Sequence, residues 1–177
     1  MGAEAFGFAA RPAGEASALA ARLTASGRAR LPDFASRAAE GLDDRLSRLA
    51  WTRLKDEHRD LDHAPLSDPD LAGSLAAAVG ALGVGTPEAM RALRHEAGQF
   101  GLPPLEGARA GFLLDLASGW RSDFGGLLLF LDAGGRAEGW RPEPGALVLF
   151  DANRPPVLTM VAKSAPGPRL SLFGTLG

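Results

Sequence analysis

Five short apolar runs, evenly spaced and cut by turn residues, fill the last third of the chain and decide what it can fold into. They are Gly111-Phe-Leu-Leu-Asp-Leu-Ala117, Gly126-Leu-Leu-Leu-Phe-Leu-Asp132, Gly145-Ala-Leu-Val-Leu-Phe-Asp151, Pro156-Val-Leu-Thr-Met-Val-Ala162 and Arg169-Leu-Ser-Leu-Phe-Gly174. Between them lie Asp123–Gly126, Asp132–Gly135, Pro142–Gly145, Asn153–Pro156 and Ala165–Pro168, all rich in Gly, Pro, Asn or Asp. Apolar runs of this length, bounded by residues that favour turns, predict strands. The gaps are too short to hold crossover helices, so parallel pairing is excluded. The sheet is expected to be antiparallel, a sandwich or a jelly roll.

Composition narrows the function classes. A chain of 177 residues is expected to form one domain with a real core. The formal net charge of −2 gives no electrostatic reason to bind nucleic acid or an anionic membrane. Cysteine is absent, which removes disulfides, thiolate metal sites and cysteine nucleophiles and suits a reducing compartment. No window reaches the about 18 uninterrupted apolar residues of a membrane span. The first charge of a cationic leader comes only at Arg11, so Met1–Arg11 makes a poor signal peptide and a cytoplasmic location is expected.

The first half reads as mainly helical. Glu15–Ser26 is alanine-rich, with Leu19 and Leu23 one turn apart, and predicts a helix ending at Gly27. Arg28–Pro32 alternates and predicts a short strand. Asp33 or Ser36 can cap a second helix running to Leu49. Trp51–Lys55 reads as an edge strand, and the charged Lys55–His63 as a solvated run. Ser67-Asp-Pro-Asp70 starts a third helix, with a capping residue followed by proline at the first helical position. Thr86-Pro-Glu88 repeats that signal and predicts a fourth helix to Ala97. The expected architecture is therefore α+β: a double-stranded β-helix (jelly roll) with N-terminal helices packed on it. One domain would span 1–177, with 1–107 the mainly helical half and 108–177 the β-core.

Three segments resemble the prolyl-4-hydroxylase-like branch of the 2-oxoglutarate/Fe(II) oxygenases. Trp120-Arg-Ser-Asp-Phe-Gly-Gly-Leu-Leu-Leu-Phe130 is similar to that branch's W-R-x-D-W-G-G-x-L-x-F strand–turn–strand. Pro142–Phe150 resembles its P-x-x-N-x-L-x-L-F strand, and Val161–Gly174 its last segment, V-x-x-x-A-x-x-P-R-x-S-x-x-G-W. Leu23–Trp51 is a weaker match to its opening elements. The resemblance implies an iron held by His-x-Asp and a distal histidine, with open positions for 2-oxoglutarate and oxygen. It also implies an arginine forked onto the distal carboxylate of 2-oxoglutarate, a task suited to a planar guanidinium. Arg169 falls on that arginine, and Ser171 on the hydroxyl two residues later.

The implied iron ligands do not carry over. Pro156 stands at the distal histidine, and no histidine follows His95. The segment expected to carry His-x-Asp is Phe100–Ala110, where Glu106 is the only carboxylate. One literal His-x-Asp exists, His58-Arg59-Asp60, with His95 as the one further candidate ligand. It precedes the barrel strand that carries ligands in the family, so a solvated run is the preferred reading. His63 reads as part of that run, and His95 as a surface or helix-end residue.

The other conspicuous residues have plain readings. Trp120, Phe124, Phe130 and Trp140 read as packing aromatics. Asp115 and Asp151 read as turn caps. Gly125-Gly126 is too short for a phosphate loop, and nothing resembles a Ser-His-Asp triad. For Arg169, a carboxylate clamp and an ordinary ion-paired strand arginine both stay open.

The leading expectation is a degenerate, non-catalytic member of the fold. It would have no catalytic residues, no metal and no cofactor. It would be a binding or regulatory module for a small dicarboxylate at Arg169 and Ser171, or for a protein partner. The first alternative is an active dioxygenase using Fe(II), 2-oxoglutarate, His58, Asp60 and His95. The second is a purely structural or partner-binding protein.

Overall fold

The computed structural model describes residues 7–8, 13–35, 42, 45–46 and 48–177. Two antiparallel sheets face each other, and helices cover the outside of the larger one. The elements run α1 (Ala13–Ser26), β1 (Arg28–Leu31), β2 (Thr52–Lys55), β3 (Asp60–Pro65), α2 (Pro69–Gly80), β4 (Pro87–His95) and β5 (Ala110–Asp115). They continue with β6 (Leu128–Leu131), β7 (Ala137–Trp140), β8 (Leu147–Asp151), β9 (Val157–Leu158) and β10 (Arg169–Leu176). The large sheet has the order β1-β8-β5-β10-β4-β3-β2, and the small sheet β7-β6-β9. Among the described residues, no helix is long and apolar enough to cross a membrane.

The central strands of the large sheet are apolar on both faces because both faces are buried. Phe112, Leu114, Leu147, Leu149 and Leu172 pack outward against Leu19 of α1 and Leu71, Leu75 and Val79 of α2. Their sequence neighbours Leu113, Val148, Phe150 and Phe173 point the other way, onto Leu128, Phe130 and Leu158 of the small sheet. The period-two geometry of a strand divides one apolar run between two cores.

One side of the sandwich is closed by backbone. After β4 the chain turns so that Phe100 bridges to Asp60 of β3. The Gly101 N–H then donates to the Leu158 carbonyl at 2.9 Å, and the Val161 N–H donates to Gln99 O at 3.0 Å. The opposite side is joined by side chains. Arg28 pairs with Glu138 at 2.5 Å, and Arg30 donates to the Arg141 carbonyl at 2.8 Å.

The N-terminal half departs from the sequence expectation. The helix expected over Pro87–Ala97 is a strand, β4, held between β10 and β3 in the middle of the sheet. Pro87 stands at its first position, where a strand tolerates proline as readily as a helix does. Met90, Ala92 and Leu93 are good helix formers, but packing between two strands overrides propensity. The charged run Lys55–His63 is likewise part strand, since β3 begins at Asp60 and buries Leu61 completely. Among the described residues, the first 107 positions thus supply four strands as well as α1 and α2. The helix expected from Asp33 or Ser36 to Leu49 lies largely outside the described residues, although Leu42 and Leu46 are buried in the outer core.

The expectations for α1, β1, β2 and the start of α2 agree with the structure. β2 is the sheet edge. The Asp68 carboxylate accepts from the N–H groups of Asp70 and Leu71, with Pro69 opening the helix.

Gly111 lets the Phe150 ring pack directly against the β5 backbone in the inner core. A Cβ there would stand 2.5 Å from the Phe150 ring and 2.9 Å from Leu105 Cδ2. Gly111→Ala is expected to lower stability by about 2–3 kcal/mol through overpacking, as read by urea unfolding. A change within about 0.5 kcal/mol would show that the ring moves aside freely.

Candidate functional site

The inner face of the large sheet carries a polar cluster at one end of an otherwise apolar interior. In register, Arg169 of β10 stands opposite His95 of β4, and Ser171 stands opposite Leu93 of β4 and Asp115 of β5. Directly paired residues share a face, and so do residues two apart on one strand. Arg169, Ser171, Asp115 and His95 therefore all point between the sheets, and all four are buried.

Arg169 is wholly removed from solvent, and its Nη2 donates to Asp115 Oδ1. Burial pushes the Asp115 carboxyl above the ordinary carboxylate range, and the adjacent guanidinium pulls it back. Burial likewise works against the Arg169 cation, and Asp115 supports it. The pair is under-satisfied: Arg169 Nε and Nη1 and Ser171 Oγ have no partner. A guanidinium presents five donors, and Asp115 meets only one of its edges.

A glycine pair makes room for the arginine. Gly126 has φ +63°, and a Cβ on it would lie 3.0 Å from Arg169 Cδ. At Gly125, φ +66°, a Cβ would fall 2.1 Å from the Met160 carbonyl oxygen. Trp120 closes the same wall, with its indole N–H donating to Gly125 O at 2.8 Å. The glycine pair that is too short for a phosphate loop therefore shapes the wall around Arg169.

His95 is not the surface or helix-end residue expected from sequence. It is fully buried on β4, with Nε2 2.8 Å from the Gly101 carbonyl. That contact assigns the ring proton to Nε2 and leaves Nδ1 as a lone pair, which has no partner. Burial foremost, and the Arg169 charge after it, lower its pKa to about 4.

The three alternative metal ligands do not converge. His58 is exposed, with its ring 3.2 Å from Glu57. Asp60 is held by Arg53 at 2.5 Å and faces Lys55. His95 lies in the interior beside Arg169. No cluster of three or more His, Asp or Glu suited to a metal forms among the described residues.

The positions where the family resemblance implies an iron centre line a cleft of about 340 Å³ formed by His58, Gly101, Leu105, Glu106, Pro155 and Pro156. It offers one imidazole and one carboxylate, with proline where a second imidazole would be needed. Behind it the interior is filled by Leu61, Leu113, Phe150 and Phe173. These residues do not fit a two-histidine, one-carboxylate iron centre.

Asp115 is the residue that sequence reasoning missed. It was expected to cap a turn, yet it is the last residue of a strand whose six residues are all buried, and its side chain faces the interior. A carboxylate in the middle of Leu-Leu-Asp-Leu was the available signal, because a buried charge needs a buried counter-charge. Asp151 does cap a turn, accepting from the Asn153 N–H at 2.8 Å. Trp120 and Phe130 are buried and Trp140 partly so, with Phe130 and Trp140 rings 4.6 Å apart.

His95 sets a pH dependence. Its folded pKa lies below the unfolded value, so the unfolded chain takes up a proton first as pH falls, and stability drops from about pH 6.5 down to about pH 4. Urea unfolding across that window is expected to show a loss of about 3 kcal/mol that flattens in His95→Gln. An unchanged slope in the variant would remove His95 from this role.

Comparison with solved structures places the fold. A Pseudomonas putida prolyl-4-hydroxylase superposes with TM-score 0.71 at 20% identity, covering 91% of this chain and 97% of that one. A Trichoplax adhaerens prolyl hydroxylase, solved with a hypoxia inducible factor oxygen degradation domain peptide fragment, gives TM-score 0.71 at 14% identity over 93% and 90% of the two chains. HygX from Streptomyces hygroscopicus, solved with nickel and 2-oxoglutarate, gives 0.70 at 13% identity over 90% and 86%. By sequence, no family model and no curated protein matches. The chain thus has the fold of the prolyl-4-hydroxylase-like 2-oxoglutarate/Fe(II) oxygenases.

Proposed function

We propose that this chain is a 2-oxoglutarate/Fe(II)-oxygenase-like protein that binds rather than oxidises. In this reading its two sheets form a double-stranded β-helix that has kept the family's carboxylate fork and lost its iron centre. The observation that carries the proposal is the ion pair of Arg169 with Asp115 inside the sandwich. The guanidinium that resembles the family's 2-oxoglutarate clamp already holds a carboxylate of its own chain. Proline at position 156, with Glu106 the only carboxylate between Phe100 and Ala110, supports the same reading from the metal side.

The work of such a protein is that of a regulatory or partner-binding module, with Asp115 of its own chain held at the Arg169–Ser171 fork where a small carboxylate would otherwise sit. The cysteine-free chain suits the cytoplasm. Its charge of −2 points to protein or small-molecule partners rather than nucleic acid.

The test is turnover. With Fe(II), ascorbate and 2-oxoglutarate, the protein is expected to release no succinate above the protein-free control. After gel filtration it is expected to retain no stoichiometric iron. Catalytic succinate release with bound iron would overturn the proposal.

A further inference from the structure

We infer that Asp115 is a built-in occupant of the Arg169–Ser171 fork, and that removing its carboxylate opens a buried site for a small monocarboxylate ion of formate size. This deepens the reading of Arg169 as a retained carboxylate fork and rests on it.

The geometry supplies the argument. Ser171 and Asp115 are direct cross-strand partners, and Arg169 stands two residues along β10 on the same face. The Asp115 carboxylate reaches the fork from inside the fold rather than from bulk solvent. Its grip is incomplete, because one oxygen meets one guanidinium nitrogen while Arg169 Nε, Arg169 Nη1 and Ser171 Oγ stay unpartnered. Each is a buried group that gains free energy from any acceptor able to reach it.

Charge fixes the class of ligand. With Asp115 truncated, Arg169 is a fully buried cation with no anion, an arrangement far more unfavourable than the pair itself. A small anion that enters satisfies that charge. A planar carboxylate matches the guanidinium edge better than a spherical halide does. Size fixes the ligand further. Asp115→Ala removes one carboxyl group, the volume of a formate ion. Leu93, Leu113 and Phe173 pack on the same inner face.

The experiment is chemical rescue. Melting temperatures of the full chain and of Asp115→Ala are compared in sodium formate and in sodium chloride at matched ionic strength. Asp115→Ala is expected to gain about 5 °C in saturating formate over chloride, with a saturable dose response. The unsubstituted chain is expected to gain nothing specific to formate. Asp115→Ala combined with Arg169→Met is expected to lose the gain.

Equal melting in both salts, the same gain in the unsubstituted chain, or a gain that survives Arg169→Met would each overturn the inference. If Asp115→Ala folds too poorly to melt cooperatively, its refolding yield in formate against chloride reads the same question, and equal yields overturn it. Succinate release would sink the proposed function without touching this readout, and a failed rescue would sink the inference while leaving turnover undecided by it.

Discussion

A single buried ion pair, Arg169 with Asp115, fixes the character of the interior. Two groups that water would hold strongly are taken wholly out of it. Neither is tolerable there alone, and their attraction in a poorly polarisable interior offsets the loss of hydration. The surroundings follow from that requirement. Glycine at 126 gives the arginine stem its space, and Trp120 walls it on one side. β5 and β10 are adjacent strands, which brings a carboxylate 54 residues away in sequence onto the guanidinium. His95 next door stays neutral, first because it is buried and then because a second cation beside Arg169 is unfavourable.

The rest of the inner face shows the opposite solution. From Leu61 to Phe173 it is filled with aliphatic and aromatic side chains that close the space between the sheets. A sandwich with the fold of an oxygenase has an interior that is polar at one end and packed at the other. The packed end adjoins the cleft bearing Glu106 and Pro156.

What the residues disclosed and what they hid divide along the distance over which the determining contacts act. Local signals were legible: Pro69 and the capping Asp68 started α2, and turn residues separated the strands after Gly111. The shared strand face of Arg169 and Ser171 was legible, since they lie two apart in one strand. β4 was hidden because Thr86-Pro-Glu88 and the residues after it favour a helix locally, and only pairing with β10 and β3 makes them a strand. Asp115 was hidden because its partner lies on a different strand. His95 was hidden with β4, since a histidine placed on a helix surface has no reason to be buried.

The central claim is that Arg169 and Asp115 act as one unit, and a double-mutant cycle tests it most directly. Urea unfolding of Asp115→Leu, Arg169→Met and the double variant gives the coupling free energy. Each single change is expected to lower stability by about 3–5 kcal/mol, because it strands a buried charge, and the double variant is expected to recover most of that loss. Additive effects, with a coupling below about 0.5 kcal/mol, would show that the two residues do not depend on each other and would contradict this account of the interior.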